Sequence, residues 1–130
     1  MAGMETRSAV RVALNASVTL KVDSAMKDQI RLLQEEQKAN VADISTSGVG
    51  IISPVFFPKG AILGIQMDGA TLKMKKPINI KGEVRYCSPQ PGKKYRMGIK
   101  FIEIEDEIMN KIKEYVAKSE QQKAPSGTAK

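Results

Sequence analysis

The chain contains no histidine and no tryptophan, one cysteine, and only three phenylalanines and three tyrosines in 130 residues. Without histidine, Ser-His-Asp triads, imidazole general bases and histidine metal ligands are excluded. With Cys87 alone, so are an internal disulfide and a cysteine-rich zinc site. No base accompanies Cys87 in the sequence, so it reads as a small core residue at a strand end rather than a nucleophile. No apolar run approaches the roughly 18 residues of a membrane span. Met1 to Thr6 lack the charged and then apolar pattern of a secretory leader, so a cytoplasmic location is expected. The Asp and Glu residues are scattered, with no catalytic set among them. A non-enzymatic role without metal or cofactor is the expectation.

What the chain does have is positive charge and alternation. Lys and Arg number 21 against 14 Asp and Glu, a net charge of +7, which attracts an anionic partner over long range without naming it. A basic solvated surface would account for the charge equally well. The length suits one domain with a real core. Period-two alternation is cleanest over Ile78 to Tyr86 and over Tyr95 to Phe101, the mark of half-buried strands. At Ile102 and Ile104 the apolar phase slips by one, which predicts a bulge or the end of pairing near Phe101. Further strands are expected at Val18 to Val22, Gly48 to Ser53 and Ala61 to Met67. Asp68-Gly69 then reads as a tight hairpin turn into a strand over Thr71 to Met74. Phe57 to Gly60 and Ser88 to Gly92 read as turns. Six or seven short antiparallel strands predict a small barrel or sandwich, which hides its edges by closing.

Two segments depart from the β rhythm. Ile108, Ile112, Tyr115 and Val116 recur at helical spacing behind Glu105, Asp106 and Glu107, as in an amphipathic helix that packs on the barrel or on another subunit. Ser24 to Ala39 has Met26, Ile30 and Leu33 at helical spacing amid charged residues, and is expected to be a helical insertion or a long charged hairpin. The polar stretch 119–130 is expected to be disordered.

The chemistry is concentrated in two short motifs. Arg7 and Arg11, four residues apart, form R-x-x-x-R; Asp43-Ile44-Ser45-Thr46-Ser47-Gly48 follows as D-x-S-x-x-G. Guanidinium forks can grip guanine O6/N7 or a phosphate, and a carboxylate can accept from a guanine's N1–H and 2-amino edge. Each motif has a plainer explanation. Two arginines are common on a basic face, and Asp and Ser cap turns while glycine supplies a positive φ.

In this order, with the glycine-containing strand Tyr95 to Phe101 near the end, the span from Arg7 to about Ile104 resembles the PilZ domain family, bacterial receptors for cyclic di-GMP. The resemblance implies a six-stranded antiparallel β-barrel with a C-terminal helix. It implies that Arg7 and Arg11 bind guanine Hoogsteen edges and phosphates, that Asp43 and Ser45 hydrogen-bond a guanine, and that Gly48 keeps the turn open. It divides the chain into an arginine segment at 1–12, a barrel over about 13–104, a helix over about 105–118 and the tail. Dinucleotide binding would order the arginine segment against the barrel and alter contact with an unidentified protein target. The chain would be a monomer or homodimer, without a nucleic-acid polymer as partner. Two departures stand out: Thr6 occupies a position that is basic in many members, leaving the number of bound dinucleotides open, and Ser24 to Ala39 is longer than the usual loop. Other classes are a PilZ-like interaction module that binds no ligand, and a basic barrel for single-stranded nucleic acid. The latter normally presents aromatic stacking platforms, whereas Tyr86 and Phe101 here read as apolar-face residues.

Overall fold

The computed structural model describes residues 10–22 and 36–128, with side chains to residue 119. Six antiparallel strands close a barrel: β1 (Val12–Val22), β2 (Glu36–Ile44), β3 (Gly48–Ser53), β4 (Ile62–Met67), β5 (Ile78–Gln90) and β6 (Lys94–Glu103). Around the barrel the order is β1-β2-β3-β6-β5-β4, with β4 returning to β1. One helix follows, α1 (Asp106–Thr128).

Alternation builds the interior. Val18 and Leu20 of β1, Val49 and Ile51 of β3, Leu63 and Ile65 of β4, Ile78 and Ile80 of β5, and Met97 and Ile99 of β6 are all buried, while the residues between them face outward. Phe57, from the loop after β3, is fully buried. The phase slip at Ile102 is a bulge: Lys81 pairs with Glu103 and Gly82 with Phe101, so Ile102 is the extra residue and lies exposed. The Phe57 to Gly60 turn ends on Gly60 at φ 93°, in the left-handed region that a side chain would oppose.

The region after β4 corrects the hairpin expectation. Gly69–Leu72 form a short 3-10 helix, not a turn into a strand over Thr71 to Met74. Asp68 caps it by accepting from the Ala70 amide at 2.9 Å, and Lys73 ends it in a left-handed conformation. Leu72 and Met74 are drawn into the core, and that burial replaces strand pairing. The turn in the Ser88 to Gly92 cluster is also tighter than expected. β5 runs on to Gln90, and Gly92 and Lys93, at φ 83° and 61°, make the reversal.

Most of the expected Ser24 to Ala39 insertion lies outside the described residues. Its last four residues are not helical: Glu36 to Ala39 open β2, pairing with Lys21 to Val18. Ala39 and Val41 alternate into the core, which fixes that register.

Helix α1 lays Ile108, Ile112 and Val116 on the core. Lys76 draws its first turn down through Glu105 and Glu107, at 3.4 and 3.0 Å. Those two carboxylates, Glu107 foremost, raise the Lys76 pKa above the ordinary lysine value. Further along, the Tyr115 hydroxyl donates to the Ala13 carbonyl at 2.7 Å. The helix passes Lys118, where a disordered tail was expected, and reaches Thr128; Glu, Gln, Lys and Ala residues supply helix propensity there, with no breaker before Pro125. Because Ile112 is fully buried, Ile112→Ala should cost about 3 kcal/mol, measurable as a lower urea midpoint at unchanged slope.

Candidate functional site

Simple alternation would send Asp43 into the barrel, because Ala39 and Val41 of the same strand point inward. A bulge prevents this. Val41 pairs with Ile51 and Asp43 with Gly50, so Ala42 is the extra residue and Asp43 turns outward. A second bulge does the same on β5. Val84 pairs with Ile99 and Tyr86 with Gly98, which leaves Arg85 unpaired and turns Tyr86 out. Tyr86 is 43% exposed, which corrects its assignment to an apolar face; Phe101 is buried as expected.

The two bulges put Asp43 and Tyr86 on one outward row, Asp43–Gly50–Gly98–Tyr86, running across β2, β3, β6 and β5. At ordinary strand spacing the two ends are roughly 14 Å apart. Gly48 lies two residues from Gly50 on the same face and pairs with Lys100. Three glycines therefore floor this part of the barrel, where backbone is covered by no side chain of its own. Gly48 is explained by closeness rather than by the positive φ that turn chemistry suggests: a Cβ there would stand 2.3 Å from the Ile99 carbonyl oxygen. At Gly98 a Cβ would meet the Tyr86 ring at 2.2 Å, so the ring lies over the glycine.

Asp43 is the electrostatic centre of this face. Its Oδ1 accepts from Arg11 at 2.7 Å and its Oδ2 from Arg96 at 2.6 Å. Gly50 makes room for the second pair, since a Cβ there would lie 2.5 Å from Asp43 Oδ1 and 2.8 Å from the Arg96 guanidinium. The bond to Asp43 raises the Arg96 pKa above the ordinary guanidinium value, against partial burial, and Tyr86 adds a smaller push in the same direction. Beside this row, at the paired Asn40 and Ile52, the surface dips into a hollow of about 230 Å3 with Lys38 and Lys94 in its walls. A larger hollow of about 480 Å3 lies over β4 and β5 and contains none of the motif residues.

Of the five residues singled out in the sequence, Arg11, Asp43 and Gly48 lie on or beside this face. Arg7 lies outside the described residues. Ser45 is only 1% exposed and bonds within its own turn, its Oγ accepting from the amides of Ser47 and Gly48 at 3.1 and 3.2 Å. Arg96, Tyr86, Gly50 and Gly98 were not singled out. Arg96 and Gly98 fall on the outward phase of β6, which the sequence displays, but their meeting with Asp43 depends on the register of β3 against β6. Among the described residues no cluster of acidic, cysteine or histidine side chains could hold a metal ion, and no helix is long and apolar enough to cross a membrane.

The family model for the PilZ domain matches residues 5–118. No curated protein sequence matches the chain. Among solved structures, MotI/DgrA of Bacillus subtilis, an inhibitor of motility, superposes with a TM-score of 0.71 at 18% identity over 90% of this chain. The chain spans 52% of that protein. The PilZ domain of Escherichia coli YcgR, solved with cyclic di-GMP, gives 0.62 at 13% identity, covering 94% of this chain and 96% of that one. A tetrameric PilZ protein of Xanthomonas campestris, self-assembled through a helical bundle, gives 0.61 at 8% identity and 89% coverage of both.

Proposed function

Since the chain belongs to the PilZ domain family, we propose that it is a non-enzymatic receptor for cyclic di-GMP, with the dinucleotide seated on the glycine floor beside Asp43. The observation that carries this is the outward Asp43 carboxylate, which stands on one row with the Tyr86 ring and has an arginine of the R-x-x-x-R motif in contact. A purine is flat, and the exposed Tyr86 ring that lies over Gly98 offers it a plane on which to stack. Its Watson–Crick edge presents N1–H and a 2-amino group, both donors, and a carboxylate is the acceptor that fits them. Its Hoogsteen edge and the phosphates need donors, and Arg11 with Arg7 supplies planar forks suited to both. Ser45 contributes by shaping the turn that carries Asp43 into β3. The net charge of +7 favours encounter with a dianionic ligand.

Binding would order the segment that bears Arg7 against the barrel and change the surface seen by a target protein. The likeness to YcgR, whose PilZ domain was solved with cyclic di-GMP, supports the ligand class; the target and the cytoplasmic location rest on the family alone.

Isothermal titration with cyclic di-GMP, run beside GTP and a short single-stranded oligonucleotide, tests the assignment. Saturable binding of the cyclic dinucleotide alone is expected. Arg11→Ala should weaken it at least about 30-fold, the scale of one or two charge-assisted hydrogen bonds at about 1.5–3 kcal/mol each. Equal, salt-sensitive heats with the oligonucleotide would instead mark a nucleic-acid barrel.

A further inference from the structure

We infer that Arg96 is a positioning residue: it holds the Asp43 carboxylate in the plane that reads a guanine's N1–H and 2-amino group, while Arg11 leaves Asp43 to grip the ligand. This rests on the receptor assignment above and adds to it the division of labour between two arginines that share one carboxylate.

The two arginines differ in how firmly they are held. Arg96 sits inside β6, between β3 and β5, paired with Ile52 on one side and Ser88 on the other. Arg11 precedes the first residue of β1 and is outside the hydrogen-bonded ladder. The Arg11 side chain is 44% exposed and that of Arg96 29%. An incoming guanine must reach a carboxylate oxygen that a guanidinium already occupies. The exposed contact off the strand is the one that yields at little cost, since water screens and replaces such an ion pair. Release of Arg11 frees Oδ1 and, at the same time, frees a fork for the ligand's phosphate or Hoogsteen edge.

Arg96 then remains on Oδ2. A carboxylate has about four lone-pair sites, so one bond to Arg96 still leaves acceptors for both guanine donors. Without Arg96 the carboxylate would be free to turn about its side-chain torsions, and the bidentate match would be lost. Gly50 is the local device that permits the arrangement, because a methyl group there would sit where Asp43 and Arg96 meet. The upward push of Asp43 on the Arg96 pKa agrees with a guanidinium held by that carboxylate.

The test compares cyclic di-GMP with cyclic di-IMP, which lacks the 2-amino group, on the wild-type chain, Arg96→Met and Arg96→Lys. The wild type should prefer cyclic di-GMP. Arg96→Met, similar in length but uncharged, should lose at least tenfold in affinity for cyclic di-GMP and most of its preference over cyclic di-IMP. Arg96→Lys should keep the preference. In an Asp43→Ala background, Arg96→Met should change nothing further. Retention of affinity and preference by Arg96→Met would overturn the inference, as would an equal loss of both dinucleotides with a lowered melting temperature, which marks a structural role. Failure of the wild type to bind cyclic di-GMP would overturn the receptor assignment itself, a result visible before any variant is made.

Discussion

Asp43→Ala should weaken cyclic di-GMP binding by at least about 30-fold while leaving the barrel folded. Two effects oppose each other. Removal of the carboxylate releases Arg11 from its 2.7 Å contact, which helps the ligand by the value of an exposed ion pair, about 0–1 kcal/mol. It also deletes the acceptor for two guanine donors, at about 1.5–3 kcal/mol for each bond to a charged group. The loss is several times the gain, so binding falls. Stability should change little, because Asp43 and both arginines retain access to water. Titration calorimetry beside thermal melting separates the two quantities. A tenfold or smaller loss of affinity with an unchanged melting temperature would remove Asp43 from the recognition of guanine.

Gly48→Ala should be among the most damaging single-methyl additions in this chain. The new Cβ would stand 2.3 Å from the Ile99 carbonyl oxygen and 3.3 Å from the Lys100 Cα. These are backbone atoms of the paired strand and cannot rotate aside. β3 would have to move off β6, and overpacking of this kind costs about 1–3 kcal/mol. We expect the upper end, about 3 kcal/mol, with the Ser45 turn and Asp43 displaced along with the strand. Gly64→Ala is the matched control, for its nearest non-neighbouring atom would be 3.8 Å away, and it should be close to neutral. Urea denaturation of the two variants side by side gives the comparison. A Gly48→Ala protein within about 0.5 kcal/mol of wild type, the range of an inconsequential surface change, would show that the strands have slack there.

The barrel was legible in the sequence wherever alternation held, and its errors fell where the phase breaks. Ile78 to Val84 and Tyr95 to Phe101 announce their inward faces directly. The slip at Ile102 was legible too, because two isoleucines in the wrong phase leave few explanations besides a bulge. The bulges at Ala42 and Arg85 were harder. Asp43 falls in the same phase as Val41, and an acid in step with core residues is itself a bulge signal; Tyr86 gives no such sign, since a tyrosine is plausible on either face. The 3-10 helix after Asp68 was missed because Asp-Gly starts a hairpin and caps a helix with equal ease. What chose between them was the burial of Leu72 and Met74, a tertiary effect. For the site, Arg11 and Asp43 could be found by motif, whereas Arg96 could not. Asp43 and Arg96 are 53 residues apart, and only the closing of β6 onto β3 makes them neighbours.

The bond from Tyr115 to Ala13 gives the helix a stake in what happens at Arg11. Only Val12 separates Arg11 from the carbonyl that receives the hydroxyl, so the arginine and the tyrosine are tied to opposite ends of a three-residue lever. Any shift of the strand entrance at Arg11 would therefore bear on backbone that also moors a helix held otherwise by its buried Ile108, Ile112 and Val116 and by the Lys76 ion pairs. The entrance of β1 is thus shared property: one residue there faces Asp43, and the next carbonyl but one is the helix's tether.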